Sequence, residues 1–309
     1  SLLDLHSINQ IYCEEPFLSM DISLFDKLQN LCSLKNIDLK TRNCTLLWKP
    51  YHILKSDDTP YKVFTPFYRR GCLTSTLPQK PVGSPSSINY YSCSNSTSID
   101  QLELLDNFPW HEKFDNIWEI DEESAMYIFK DFIDTKINDY KLERDFPALN
   151  KHSKLSPYIR FGLISINRMW YELDKLIPNK SIDHFKSELG WREFSYYLLY
   201  HFPHLQYENM QAKFNNFEWE NSNKHFEAWK KGCTGYPIVD AGMRELWQTG
   251  FIHNRTRMVV ASFLVKNLLI DWRLGEKWFW DCLVDADYAS NVASWQWVAG
   301  TGADAAPYF

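Results

Sequence analysis

Four short stretches of this sequence carry side chains whose types and spacing suit chemistry. In SELGWREF, Glu188 lies three residues before Trp191 and four before Arg192, so on a helix the three share a face. A carboxylate beside an indole loses water, and its proton affinity then rises. The plainer alternative is a salt bridge beside a core tryptophan. In HNRTRM, Asn254, Arg257 and Met258 fall on one helical stripe and Arg255 on the neighbouring face, at the head of an otherwise apolar helix. Such a stripe is either a binding surface or a helix end meeting solvent. In DADYASN, Asp285 and Asp287 stand in apolar surroundings with Asn291 close behind. Buried acids need partners, and Arg257 or a sugar hydroxyl would serve; the alternative is a solvated acidic cap. In HSKLSPYIRFG, Ser156 suits an N-cap and Pro157 the first helical turn. A helix start offers free N–H groups to phosphate, with His152 and Ser153 as further donors, although an ordinary capped helix has the same sequence. Together the four stretches describe a helical pocket for a flat, aromatic, phosphate-bearing ligand. No GxGxxG, Walker A, HExxH or paired Cys/His spacing is present, so neither those nucleotide folds nor a metal is expected.

The elements that must position these residues are mostly helices. From Glu122 onward apolar residues recur at helical spacing, as at Met126, Ile128, Phe129, Phe132 and Ile133. Before that, INQIYC reads as a short buried strand, IDLKTRNCTLLW as strand or loop, and the segment between them as a helix through Ile22, Leu24, Phe25, Leu28 and Leu31. From Thr74 the composition turns to Ser, Pro and Asn, the mark of a surface linker. The expected division is a partial α/β (Rossmann-like) domain over residues 1–73, a linker over 74–121 and a mainly α domain over 122–309.

The bulk composition narrows the class. With 309 residues and a formal charge of −6, the chain is long enough for more than one core and has no overall basic field. A local groove with a few arginines would still hold phosphates. Seven cysteines without CxxC pairing suit a reducing, cytoplasmic setting. No basic leader and no apolar run of about 18 residues is visible, so neither a signal peptide nor a membrane span is expected. Of 13 tryptophans, nine follow position 190, which fits a large aromatic core or rings that stack on flat ligands and carry electrons.

ERDFP, SKLSPYIRFG, ELGWREF, TGYPIVDAGMR, HNRTRM, SFLVKNLLIDW and SWQWVAGTGADAAPYF resemble, in order, the photolyase/cryptochrome family, and most closely its class I cyclobutane pyrimidine dimer photolyases. The resemblance is strong from about Tyr140 and weak before Tyr61, and it sets the chain between the first βα units and the last helices of family members. It implies a carbon–carbon lyase with folded-up FAD, active in the reduced state, inside the helical domain. On that pattern Tyr140, His152, Ser153, Leu155 and Ser156 hold the phosphate side, His152 standing where relatives often carry Thr. Arg257 and Asp285 pair beside the isoalloxazine, Asp287 holds ribose or ring, and Asn291 lies at the N5 edge. Trp295, Trp272 and Trp219 form a chain that carries an electron to oxidised flavin. An antenna pigment of folate or deazaflavin type is also implied, although residues 12–21 depart from the antenna-contacting stretch.

The implied partner is UV-damaged DNA with a flipped-out pyrimidine dimer, bound by a monomer. Glu188 would hydrogen-bond the dimer, Asn254 and Met258 line its pocket, and Trp191 and Trp297 wall it with flat rings. Arg144 and Arg255 would contact phosphates, setting position rather than sequence. Two other outcomes share the family. A cryptochrome-type blue-light receptor would not need the retained Glu188, Trp191 and Trp297, and Asn291 stands where a plant-type receptor usually has an acid. A six-four photoproduct lyase usually has paired histidines where this chain has HNRTRM.

Overall fold

The computed structural model describes residues 8–90, 96–105 and 109–304; the first seven residues and the closing AAPYF of the last motif lie outside that set. The chain is mainly α-helical. Two parallel strands, β1 (Gln10–Glu14) and β2 (Asp38–Arg42), pair in register from Gln10 opposite Asp38 to Glu14 opposite Arg42. Parallel strands need a crossover, and helix α1 (Ser19–Leu34) supplies it. The expectation of a buried strand is not met, since Tyr12 is exposed, as are Leu24 and Leu31 of α1. Two strands offer too little surface to cover a 16-residue helix.

The segment after β2 leaves the sheet. Leu46, Leu47, Trp48, Phe64, Phe67 and Tyr68 are buried in one cluster with Phe194, Tyr197 and Leu198. A helical turn at Phe64–Pro66 runs into a π-helical turn at Phe67–Cys72. The partner helix can approach because Gly190 has no side chain: a Cβ there would meet the Tyr68 ring at 2.6 Å. Residues 77–90 are then largely exposed.

The helical part follows as α2 (Glu122–Thr135), α3 (Tyr140–Glu143), α4 (Ser156–Arg160), α5 (Ile166–Asp174), α6 (Lys180–His201), α7 (Asn223–Lys230), α8 (Pro237–Thr249), α9 (Asn254–Ser262), α10 (Trp272–Cys282) and α11 (Tyr288–Ala299). Several of their starts are set by side chains that accept otherwise free N–H groups. Asp121 caps α2, Asn179 caps α6, Asp271 caps α10 and Asp287 caps α11. Gly250 and Gly300, at φ 67° and 79°, end α8 and α11 in the left-handed conformation that glycine tolerates best. The core has two clusters, one around α6 and one around α8 to α11. Helix α11 packs against both α6 and α10 and joins the two.

Candidate functional site: an acid-anchored pocket beside an arginine face

The expected Arg257–Asp285 pair forms. Arg257 Nη2 donates to Asp285 Oδ2 at 2.8 Å, and its Nε is held by the Ile252 carbonyl at 2.8 Å. Ser156 Oγ donates to the same Oδ2 at 2.6 Å. Ser156 therefore does not cap its helix: Leu155 occupies the N-cap and the serine hydroxyl is spent on the acid. The other oxygen, Asp285 Oδ1, is buried without a hydrogen-bond partner. An unsatisfied buried oxygen on an acid costs free energy on the order of 1–3 kcal/mol, so this atom is set up to accept from a ligand.

His152 has the same character. Both ring nitrogens are buried without partners. The ring stacks on Phe251 at 5.6 Å and meets His253 edge-on at 5.1 Å. Burial, helped by His253, pulls its pKa down to about 4, so the ring is neutral at neutral pH. With Ser153, Lys154, Lys136, Asn150 and Tyr158 it lines a cavity of about 170 Å³. Ser153 Oγ accepts from Leu155 N at 3.4 Å. Tyr140 is set deeper, packed between Phe132 and Phe185, and burial raises its phenol pKa.

Asp287 and Asn291 are committed to protein partners. Asp287 Oδ1 accepts Ser290 N at 2.8 Å and Oδ2 accepts the Tyr196 hydroxyl at 2.6 Å. Asn291 is buried, and its amide nitrogen donates to the Glu276 carbonyl and carboxylate at 2.9 and 2.8 Å. That fixes the amide and leaves its oxygen for a partner other than Glu276.

Glu188 is neither dry nor alone. Its side chain is 30% exposed and accepts a hydrogen bond from Arg144, whose own side chain is 9% exposed. Arg144 Nη1 also donates to His184 Nε2 at 2.9 Å. Arg144 is thus held inward rather than offered to a phosphate. The Trp191 ring stacks on Phe64 at 3.8 Å and 10°. On the neighbouring face Arg255 forms a two-pronged pair with Asp145, and its Nη1 lies 3.3 Å from Met258 Sδ. Asn254 is exposed and its amide lies 4.0 Å from the same sulfur.

The three tryptophans expected to carry electrons share the second core cluster: Trp272 and Trp295 are buried, and Trp219 is partly buried at its edge. Trp272 Nε1 donates to Asn209 Oδ1 at 2.9 Å. Trp295 meets Phe279 edge-on at 5.0 Å and reaches it over Gly275, where a Cβ would lie 2.2 Å from the indole. Trp297, two residues on along α11, is partly buried against the same cluster. Helical geometry turns it about 200° from Trp295.

Sequence spacing missed Asp145, His184, Tyr196 and Glu276, each of which reaches a candidate residue from another element. Only Asp145 left a signal, as the acid next to Arg144 in ERDFP. A larger cavity of about 420 Å³, lined among others by Trp247, Trp278, Lys230 and Arg244, contains none of the candidate residues.

The chain is similar to known proteins. Residues 185–309 match the FAD binding domain of DNA photolyase. A deoxyribodipyrimidine photo-lyase of Agrobacterium fabrum is 44% identical over 297 residues, which is 94% of this chain and 61% of that protein. A class III photolyase structure from Agrobacterium tumefaciens superposes with a TM-score of 0.94 at 41% identity, over 99% of this chain and 64% of that one. A cryptochrome from Synechocystis superposes at 0.84 with 28% identity, over 100% and 65%. The chain belongs to the photolyase/cryptochrome family. It spans about 60% of the length of the curated relatives it matches. Among the described residues, no helix is long and apolar enough to cross a membrane.

Proposed function

We propose that this chain is the flavin-holding and catalytic part of a light-dependent lyase that repairs cyclobutane pyrimidine dimers in DNA. The observation that carries the reading is the Arg257–Asp285–Ser156 cluster with a buried carboxylate oxygen left over. Two unpartnered ring nitrogens of His152 add to it. This donor and acceptor set fits FAD: neutral imidazole and serine suit phosphate and ribose, and an acid braced by a guanidinium suits a ring N–H. When bound in reduced form, FAD supplies absorption of blue or near-ultraviolet light and one-electron chemistry. The protein does the rest. Asp285 Oδ1 accepts, Arg257 holds the other oxygen of that carboxylate in place, and Asn291 is aimed by Glu276. His152 and Ser153 bind the polar end, Tyr140 and Leu155 back them, and Ser156 braces Asp285.

On the DNA side, Arg144 positions Glu188 so that its carboxyl meets the dimer, and Asn254 and Met258 line the same pocket. Trp191 and Trp297 supply flat apolar walls for a flipped-out pair, and Arg255 meets a phosphate. Trp295, Trp272 and Trp219, gathered in one cluster, suit electron delivery to oxidised flavin. An antenna pigment would add light capture without altering this chemistry, and the chain is read as working as a monomer in the cytoplasm. The likeness to the Synechocystis cryptochrome favours a second reading, a blue-light receptor without repair. The test is blue-light treatment of an oligonucleotide holding one thymine dimer with flavin-loaded, reduced protein, read by recovery of thymine absorbance. Recovery supports repair. Flavin binding and photoreduction with no preference for damaged strands and no recovery support the receptor reading.

A further inference from the structure

Arg255 stands at the start of α9 with 40% of its side chain exposed, where the proposed reading puts a DNA phosphate. Its guanidinium is already occupied. Nε donates to Asp145 Oδ1 and Nη2 to Asp145 Oδ2, both at 2.8 Å. Two parallel N–H···O bonds across a planar fork are the geometry in which arginine takes either a carboxylate or a phosphate. Asp145 is itself 44% exposed, so the pair sits where an incoming anion can reach it. Arg144 Nε lies 3.5 Å from Asp145 Oδ1, but that guanidinium is buried and engaged with Glu188 and His184. Arg255 is therefore the arginine of this face that an outside anion can take over, and Asp145 is the group it must displace.

We propose that Asp145 is a built-in competitor for the DNA backbone: its carboxylate occupies the fork of Arg255 in the free protein and a phosphate replaces it on binding. The inference rests on the DNA-binding reading. It deepens that reading by naming a residue that sets how tightly any strand is held, whatever its damage. A stray strand must displace Asp145 as a damaged one must, but lacks the pocket contacts that compensate. In a chain of net charge −6 the competing acid holds binding to undamaged DNA low. The pair is exposed enough that salt weakens it, so the competition fades as ionic strength rises.

The test compares the flavin-loaded chain with its Asp145→Asn and Asp145→Ser variants. The probes are an undamaged duplex, the same duplex with one thymine dimer, and inorganic pyrophosphate, each titrated at low and high salt. Both variants are expected to bind all three probes more tightly, by roughly three- to ten-fold at low salt. The gain should shrink at high salt. In an Arg255→Ala background Asp145→Asn should gain little, because the contested fork is gone. If Asp145 merely aims Arg255, its variants will bind more weakly, and that result overturns the proposal. So does an equal gain with and without Arg255, which would mark a general charge effect. Tighter binding in the variants without any light-driven repair would keep the competitor and sink the repair reading. Repair with unchanged variant affinities would do the reverse. If no probe binds any variant, both fall.

Discussion

Arg257 and Asp285 are joined at 2.8 Å through one carboxylate oxygen, while the other oxygen of the same acid is buried with no partner. One half of the carboxylate is thus fixed by protein and the other is reserved. Asp285→Asn halves the acceptor capacity and removes the charge that braces Arg257. Hydrogen bonds to charged groups contribute about 1.5–3 kcal/mol, so flavin affinity should fall about ten- to a hundred-fold. Flavin retained after dialysis, read from its visible absorbance, checks this.

Glu188 and Trp297 should fail in different ways. Glu188→Ala removes a group proposed to meet the dimer and is expected to lower repair per absorbed photon more than it lowers affinity. Trp297→Ala removes a stacking surface, on the order of 1–3 kcal/mol per base, and should chiefly weaken binding to damaged strands. Quantum yield and dissociation constant, measured on both variants, separate the two effects. A Glu188→Ala protein whose yield is intact would remove that residue from the chemistry.

Trp219 lies at the edge of the cluster that buries Trp272 and Trp295. Trp219→Phe should block stable photoreduction of oxidised flavin under a mild external reductant, yet leave repair by chemically reduced protein intact. Unchanged photoreduction in Trp219→Phe, Trp272→Phe and Trp295→Phe alike would show that the electron takes another route.

Glu193 gives a pH signature without any ligand. It is fully buried on α6, and Oε2 accepts the N–H groups of Leu47 and Trp48 at 2.8 and 3.2 Å. Burial is the main reason its pKa is pushed up to about 7, against 4.5 for an ordinary glutamate. The folded protein therefore binds this proton more tightly than the unfolded chain does. The contribution is fully present below about pH 4.5 and is lost as pH rises toward 7, on the order of 3 kcal/mol in all. Glu193→Gln keeps an acceptor for both N–H groups and cannot ionise. Its Tm should change less than the wild-type Tm between about pH 5 and pH 7.5, and thermal melts across that window decide.

Part of this site was legible in the sequence because its motifs are short and contiguous, at or beside helix starts. HNRTRM and DADYASN offered Arg257 as one possible partner for the acids, the family resemblance implied the Arg257–Asp285 pair, and helical periodicity placed α2 and α9. What the spacing could not give was the partner arriving from another element. Glu188 was expected beside Trp191, four residues from Arg192, and is instead held by Arg144, 44 positions away. Ser156 has the right type for a cap, but its hydroxyl reaches Asp285 across 129 positions. Trp191 faces Phe64. Helical spacing fixes which residues share a face, and only the packing of elements decides what that face meets.

The packing of residues 46–72 against α6 has a consequence for how the chain is made. Leu47 and Trp48 find their acceptor in Glu193, and Tyr61 N finds the Tyr197 hydroxyl at 2.9 Å, contacts that bridge 146, 145 and 136 positions. At ribosomal rates of about 5–20 residues per second, that interval is on the order of ten seconds. Throughout it, Trp48, Phe64, Phe67 and Tyr68 emerge with no helix to bury them. The nascent chain carries its stickiest early segment uncovered until α6 has been translated, which makes that window the point where a holdase would matter most.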